Sequence, residues 1–64
     1  MNSDQFRRKL SKAGCTFEPG KGGHVIVRRG DRSSVLPMHG GSKQLKRGLR
    51  LGILKQLGLT EEDL

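Results

Sequence analysis

Sixty-four residues allow one small domain, and a chain of this size buries only about 60% of its unfolded surface, so an enclosed pocket is excluded and any site should lie open. Thirteen Lys and Arg against six Asp and Glu give a net charge of +7, and residues 1–60 hold only Asp4, Glu18 and Asp31 as acids, which suits a polyanionic partner. One cysteine excludes an intrachain disulfide, no apolar run nears the roughly 20 residues of a membrane span or resembles a signal-peptide core, and Phe6 and Phe17 are too few aromatics for a base-stacking sheet.

The first predicted element is an amphipathic helix over residues 4–13. Ser3 is its expected N-cap, Asp4 favours the positive end of the helix dipole, and Phe6, Leu10 and Ala13 recur at i, i+4, i+7. Gly14 should end it in the left-handed conformation. Residues 15–18 alternate apolar and polar as a short strand, stopped by Pro19 and Gly20. A glycine-rich turn, Gly20-Lys21-Gly22-Gly23, leads into His24 to Arg29, a strand by its β-branched content. Gly30-Asp31 offers a hairpin turn, and residues 33–36 return as the partner strand before Pro37. Beyond a loop through Met38 to Ser42, Leu45, Leu49, Ile53 and Leu57 fall on one helical line that Leu54 widens, with Gly58 as the stop. Gly52 inside that helix costs roughly 1 kcal/mol against Ala, and the expected return is a close approach of helix to sheet.

The order is α-β-β-β-α, an α+β class with a three-stranded antiparallel sheet. Both amphipathic helices can cover one face, which leaves the other to solvent. Along the second strand Val25 and Val27 share one side and His24, Ile26 and Arg28 the other. The valine side is the expected core. His24 then stands on the open face beside Arg28, at the mouth of the glycine turn.

Three stretches carry the most information. They are Lys21-Gly22-Gly23-His24 entering a strand, Ser34-Val35-Leu36-Pro37-Met38-His39, and Leu49 through Leu59 with its Ile53-Leu54-Lys55-Gln56-Leu57-Gly58-Leu59 ending. With the opening Ser-x-x-Phe-x-x-x-Leu-x-x-x-Gly helix, their order and spacing over residues 3–59 resemble the HicA toxins of bacterial toxin–antitoxin systems. That resemblance implies a fold similar to the double-stranded-RNA-binding domain. It also implies an mRNA interferase, an endoribonuclease acting on mRNA, held inactive by a HicB-like antitoxin. The family's functional histidine opens the second strand after a glycine turn, and His24 is the matching residue. Where many members have Gly-Ser-His-His, this chain has Gly22-Gly23-His24-Val25, and where many have His-Pro after the third strand it has His39-Gly40.

The chemistry is consistent with those residue types. RNA carries its own nucleophile in the 2′-hydroxyl, and an imidazole titrates near pH 6.5, so both of its forms are available at neutral pH. A placed general acid or base contributes about 10²–10⁴ in rate, and cations at the phosphorane oxygens add to it. Lys21, Arg28 and Lys43 are the candidate cations, and Gly22 and Gly23 would let the backbone approach a phosphate. Gly22 and Gly23 read equally as turn residues, Arg28 as a solvated strand residue, and His39 as a helper in the site or a residue that orders its loop. Two His, one Cys and no carboxylate close in sequence to either histidine form no credible zinc set, so neither metal nor cofactor is expected. Cys15 is a small core residue. Two other functions compete: a non-catalytic RNA-binding module on the same basic face, for which Lys46-Arg47 is only a partial match to the expected basic cluster, and a DNA-binding module, for which no helix-turn-helix is visible. The expectation is a single cytoplasmic domain, residues 1–64.

Overall fold

The structure, a computed structural model, describes residues 1–38 and 44–64. Among these residues the order is α1 (Ser3–Lys12), β1 (Thr16–Pro19), β2 (His24–Arg29), β3 (Arg32–Pro37) and α2 (Arg47–Leu57), with a 3₁₀ turn at Glu61–Asp63. The α-β-β-β-α expectation holds; the ends of α1 and the strands lie within one residue of those expected, and α2 starts later than expected, at Arg47.

Helix α1 starts one residue earlier than expected, because Asn2 and not Ser3 is the cap. The Asn2 side chain accepts from the Gln5 backbone N–H at 2.8 Å, and the Gln5 side chain accepts from the Asn2 N–H at 2.9 Å. This reciprocal capping box satisfies two amide donors at the helix start. Ser3 is thereby released for another task. Its side chain is buried, and its hydroxyl donates to the Pro37 carbonyl at 2.9 Å, tying the start of α1 to the end of β3.

Both helices end alike. Gly14 and Gly58 adopt φ +94° and +73°, and the following residue, Cys15 or Leu59, donates its N–H back to Leu10 or Leu54. All four of those partners are buried, so each helix closes with the apolar clasp that accompanies a Schellman end.

The sheet order is β1-β2-β3, antiparallel throughout. Arg29 pairs with Arg32 across a two-residue turn in which Gly30 takes φ +62°, a left-handed conformation that favours glycine. The two prolines close β1 and β3, which are the edge strands, where a missing N–H is tolerated. Phe17, Val27 and Ser34 stand in register on one face, beside Leu36. Val27 and Leu36 join Phe6 and Leu10 of α1 and Ile53, Leu54 and Leu57 of α2 in one core, so both helices lie on that face. Cys15 is in this core too, and its burial raises the thiol pKa against a smaller opposing pull from Arg29.

Helix α2 departs from the predicted stripe. Leu45 lies before the helix and packs on the core from there, while Leu49 and Leu51 are exposed. Only the C-terminal half of α2 covers the core, through Ile53, Leu54 and Leu57. Two polar links hold that half in place. Buried Ser34 donates its hydroxyl to Gln56 Oε1, and Arg29 Nη1 donates to the Leu57 carbonyl at 3.2 Å. A Cβ at Gly52 would meet nothing within 4 Å, so the expected close approach to the sheet is absent.

Candidate active site

The uncovered face of the sheet presents Thr16 and Glu18 from β1, His24, Ile26 and Arg28 from β2, and Ser33 and Val35 from β3. His24, Glu18, Arg28 and Val35 are exposed there and Ile26 is half-buried. The alternation that placed His24 on this face is borne out by the structure.

The turn before β2 fixes where His24 stands. The His24 carbonyl accepts the Gly20 N–H at 3.0 Å, and the His24 N–H reaches the Lys21 carbonyl at 3.4 Å. Gly22 sits at φ +65°, and a Cβ on Gly20 would stand 2.9 Å from the His24 carbonyl oxygen. Two of the turn's glycines are therefore required by geometry, one by its backbone angle and one by a close approach. The Gly23 carbonyl accepts the Met38 N–H at 2.8 Å, so the exit from β3 is clamped to this turn. The His24 ring lies with Nδ1 3.1 Å from the Lys21 carbonyl oxygen.

Lys21, Gly22, Gly23 and His24 thus form one cluster, and Lys21 is exposed within it. Arg28 shares the face but is not beside His24 as expected, because four residues of extended strand separate the two by about 13 Å. Its Nε donates to Glu18 Oε1 at 3.1 Å, a pairing made possible by the register that sets Glu18 opposite Ile26. Arg28 is therefore partly neutralised. Lys43 and His39 lie outside the described residues. Among the described residues no group of three His, Cys, Asp or Glu side chains is placed to hold a metal ion, and no helix is long and apolar enough to cross a membrane.

A second feature was not expected from the residues alone. Where α2 borders β3, a shallow groove of about 720 Å³ opens between the uncovered face and the helix. Ile26, Arg28 and Val35 line its sheet side, and Gly48, Leu49 and Gly52 line its helix side. Gly48 has open space around it as Gly52 has. The only signal in the sequence was the out-of-phase pair Ile26 and Val35, apolar residues on the polar side of their strands.

Fold and site together define a small basic α-β-β-β-α domain that displays a histidine at a glycine turn, on the face its helices leave bare. The chain belongs to the HicA toxin family of bacterial toxin–antitoxin systems, whose family model matches residues 3–59. It is 44% identical over 61 residues to a probable mRNA interferase HicA of Pseudomonas fluorescens (strain Pf0-1), covering 95% of this chain and all of that protein. To the probable mRNA interferase toxin HicA of Escherichia coli K12 it is 40% identical over 60 residues, covering 94% of this chain and again the whole relative. Its structure superimposes with a TM-score of 0.81 on a chain of the crystallised E. coli HicAB toxin–antitoxin complex, at 40% identity, covering 91% of this chain and 98% of that one.

Proposed function

We propose that the chain is an endoribonuclease of the cytoplasm, an mRNA interferase that cuts mRNA with His24 as its catalytic residue, needs no metal ion, and is neutralised by a HicB-like antitoxin. The observation that carries this reading is His24 itself. It is exposed on the bare face of a basic sheet, its ring anchored on a glycine turn, in a chain whose relatives are named mRNA interferases.

The substrate brings the nucleophile. His24 takes the proton of a 2′-hydroxyl, the 2′-oxygen bonds to the adjacent phosphorus, and the bond from phosphorus to the 5′-oxygen breaks. The leaving oxygen takes a proton from solvent, which the open face admits. The products are a 2′,3′-cyclic phosphate and a 5′-hydroxyl end. Lys21 and Lys43 supply positive charge to the phosphorane oxygens, and the backbone at Gly22 and Gly23 lets a phosphate come close. Arg28 lies farther along the face and serves the RNA strand rather than the reacting phosphate.

The test is cleavage of RNA by the intact chain and by a folded, nuclease-free His24→Ala preparation, both in EDTA. Cleavage should be abolished in the variant and persist in the parent. Undiminished cutting by His24→Ala would overturn the site, and loss of the parent's activity in EDTA would overturn metal independence. A non-catalytic RNA-binding module would show binding by both chains and cleavage by neither.

A further inference from the structure

A neutral imidazole has one nitrogen that can accept a proton and one that already carries it. The partner facing the ring decides which is which. His24 Nδ1 lies 3.1 Å from the Lys21 carbonyl oxygen, an atom that can only accept. The contact is a hydrogen bond only when Nδ1 bears the proton. We infer that the Lys21 carbonyl is a positioning group, holding neutral His24 in its Nδ1–H form and assigning the proton-accepting role to Nε2. The catalytic meaning of this assignment rests on the ribonuclease reading; the tautomer itself is a property of the chain alone.

The carbonyl is held in place by the turn that carries it. The same oxygen faces the His24 backbone N–H at 3.4 Å, and a carbonyl has two lone pairs for two donors. The Gly20 N–H on the His24 carbonyl and the Met38 N–H on the Gly23 carbonyl close the turn from both sides. Gly22, at φ +65°, is what permits the chain to bring the Lys21 oxygen back under the ring. An exposed imidazole in water favours the opposite form, Nε2–H, so the turn acts against the default. Lys21 therefore matters to His24 through its backbone, whatever its ammonium does for RNA.

The test reads the ring directly. The chain is labelled with ¹⁵N-histidine and carries His39→Asn, so that His24 is its only histidine, and is measured at pH about 8.5, where an ordinary imidazole is neutral. The expected spectrum has a protonated, pyrrole-type Nδ1 and a pyridine-type Nε2. Gly22→Val, which opposes the positive φ, should shift the signal toward Nε2–H. In the parent background it should lower kcat for RNA cleavage by about tenfold or more. Gly22→Asn, whose side chain tolerates that backbone, should restore the Nδ1–H signal. Gly30→Val places equal strain in the distal hairpin and should leave both tautomer and kcat unchanged. An Nε2–H ring in the unsubstituted turn overturns the inference without needing any variant to fold. Loss of kcat in Gly22→Val with Nδ1–H retained overturns it as well. A chain with Nδ1–H that cleaves no RNA overturns the ribonuclease reading instead and leaves the tautomer assignment standing.

Discussion

Arg28 and Glu18 show how register changes what a residue contributes. Their ion pair is 3.1 Å long, and each side chain is about half exposed, so it contributes about 0–1 kcal/mol and a phosphate can displace the carboxylate at little cost. Among the described residues Glu18 is the one acid that the strands place on the bare face, and Glu18→Gln makes the chain more positive by one charge. Affinity for a non-cleavable RNA should rise at low salt, and the slope of log affinity against log salt should steepen by about 0.7–0.9. Folding stability should change by less than about 1 kcal/mol. An unchanged salt slope would show that Arg28 does not face the RNA. Such pairings were not legible in the sequence, because they depend on how many residues the glycine turn takes up between β1 and β2. The side of the strand on which His24 stands was legible, since alternation alone decides it. The Lys21 carbonyl was not, because a backbone atom leaves no mark in side-chain chemistry. Asn2 and Gln5 had the spacing of a capping box, but a good capping residue at position 3 drew the helix start one residue late.

Helix ends were the most readable elements, because Gly14 and Gly58 stand where the apolar period stops and each supplies the left-handed residue a Schellman end needs. The apolar line of α2 was less readable. A stripe of Leu45, Leu49, Ile53 and Leu57 presumes a helix covered along its whole length, whereas only its C-terminal half meets the core. The same geometry explains Gly52. It lies mid-helix, exposed, with open space at its Cβ position, so Gly52→Ala should stabilise the chain by about 0.5–1 kcal/mol. For a domain of this size that raises Tm by several degrees, about 4–8 °C per kcal/mol. A lowered Tm would mean that the helix bears on the sheet more closely than the geometry indicates. The C-terminal turn responds to acid. The Thr60 N–H and hydroxyl both donate to Asp63 Oδ2, at 2.8 Å and 3.1 Å, and hold that carboxyl below its usual range. With the folded value depressed, the cap is complete above the ordinary carboxylate value near 3.8 and is lost as pH falls through the lower folded one. In an acid titration followed by NMR, the Thr60 and Asp63 amides should move together at that lower pH. Movement of either at the ordinary value would contradict the cap.

At the scale of the whole molecule the architecture was legible, since glycines and prolines mark almost every boundary and each segment keeps one period. The groove beside α2 was not, because it arises between a helix and a sheet edge whose spacing no local pattern encodes. Thin core, positive charge and bare face then act together on regulation. The site stands on the face that α1 and α2 leave open, so the simplest inhibitor is a protein laid across it. Lys21 and Arg28 would be costly to bury unpaired, so that protein should bring Asp or Glu to them. Anything that binds only the folded chain also stabilises it, by about 2.7 kcal/mol at a hundredfold excess over Kd. Applied to a domain of this size, that stabilisation corresponds to a rise in Tm of about 10–20 °C. A HicB-like antitoxin should therefore raise the Tm of the His24→Ala chain by about that amount at low salt and by less as salt increases, because part of the contact is between charges. Crosslinks placed at Lys21 should capture it. A partner that stabilises the chain equally at all salt concentrations, leaves Lys21 uncrosslinked and still blocks cleavage would be docking behind the helices. Inhibition would then act on the path of the RNA and not on His24.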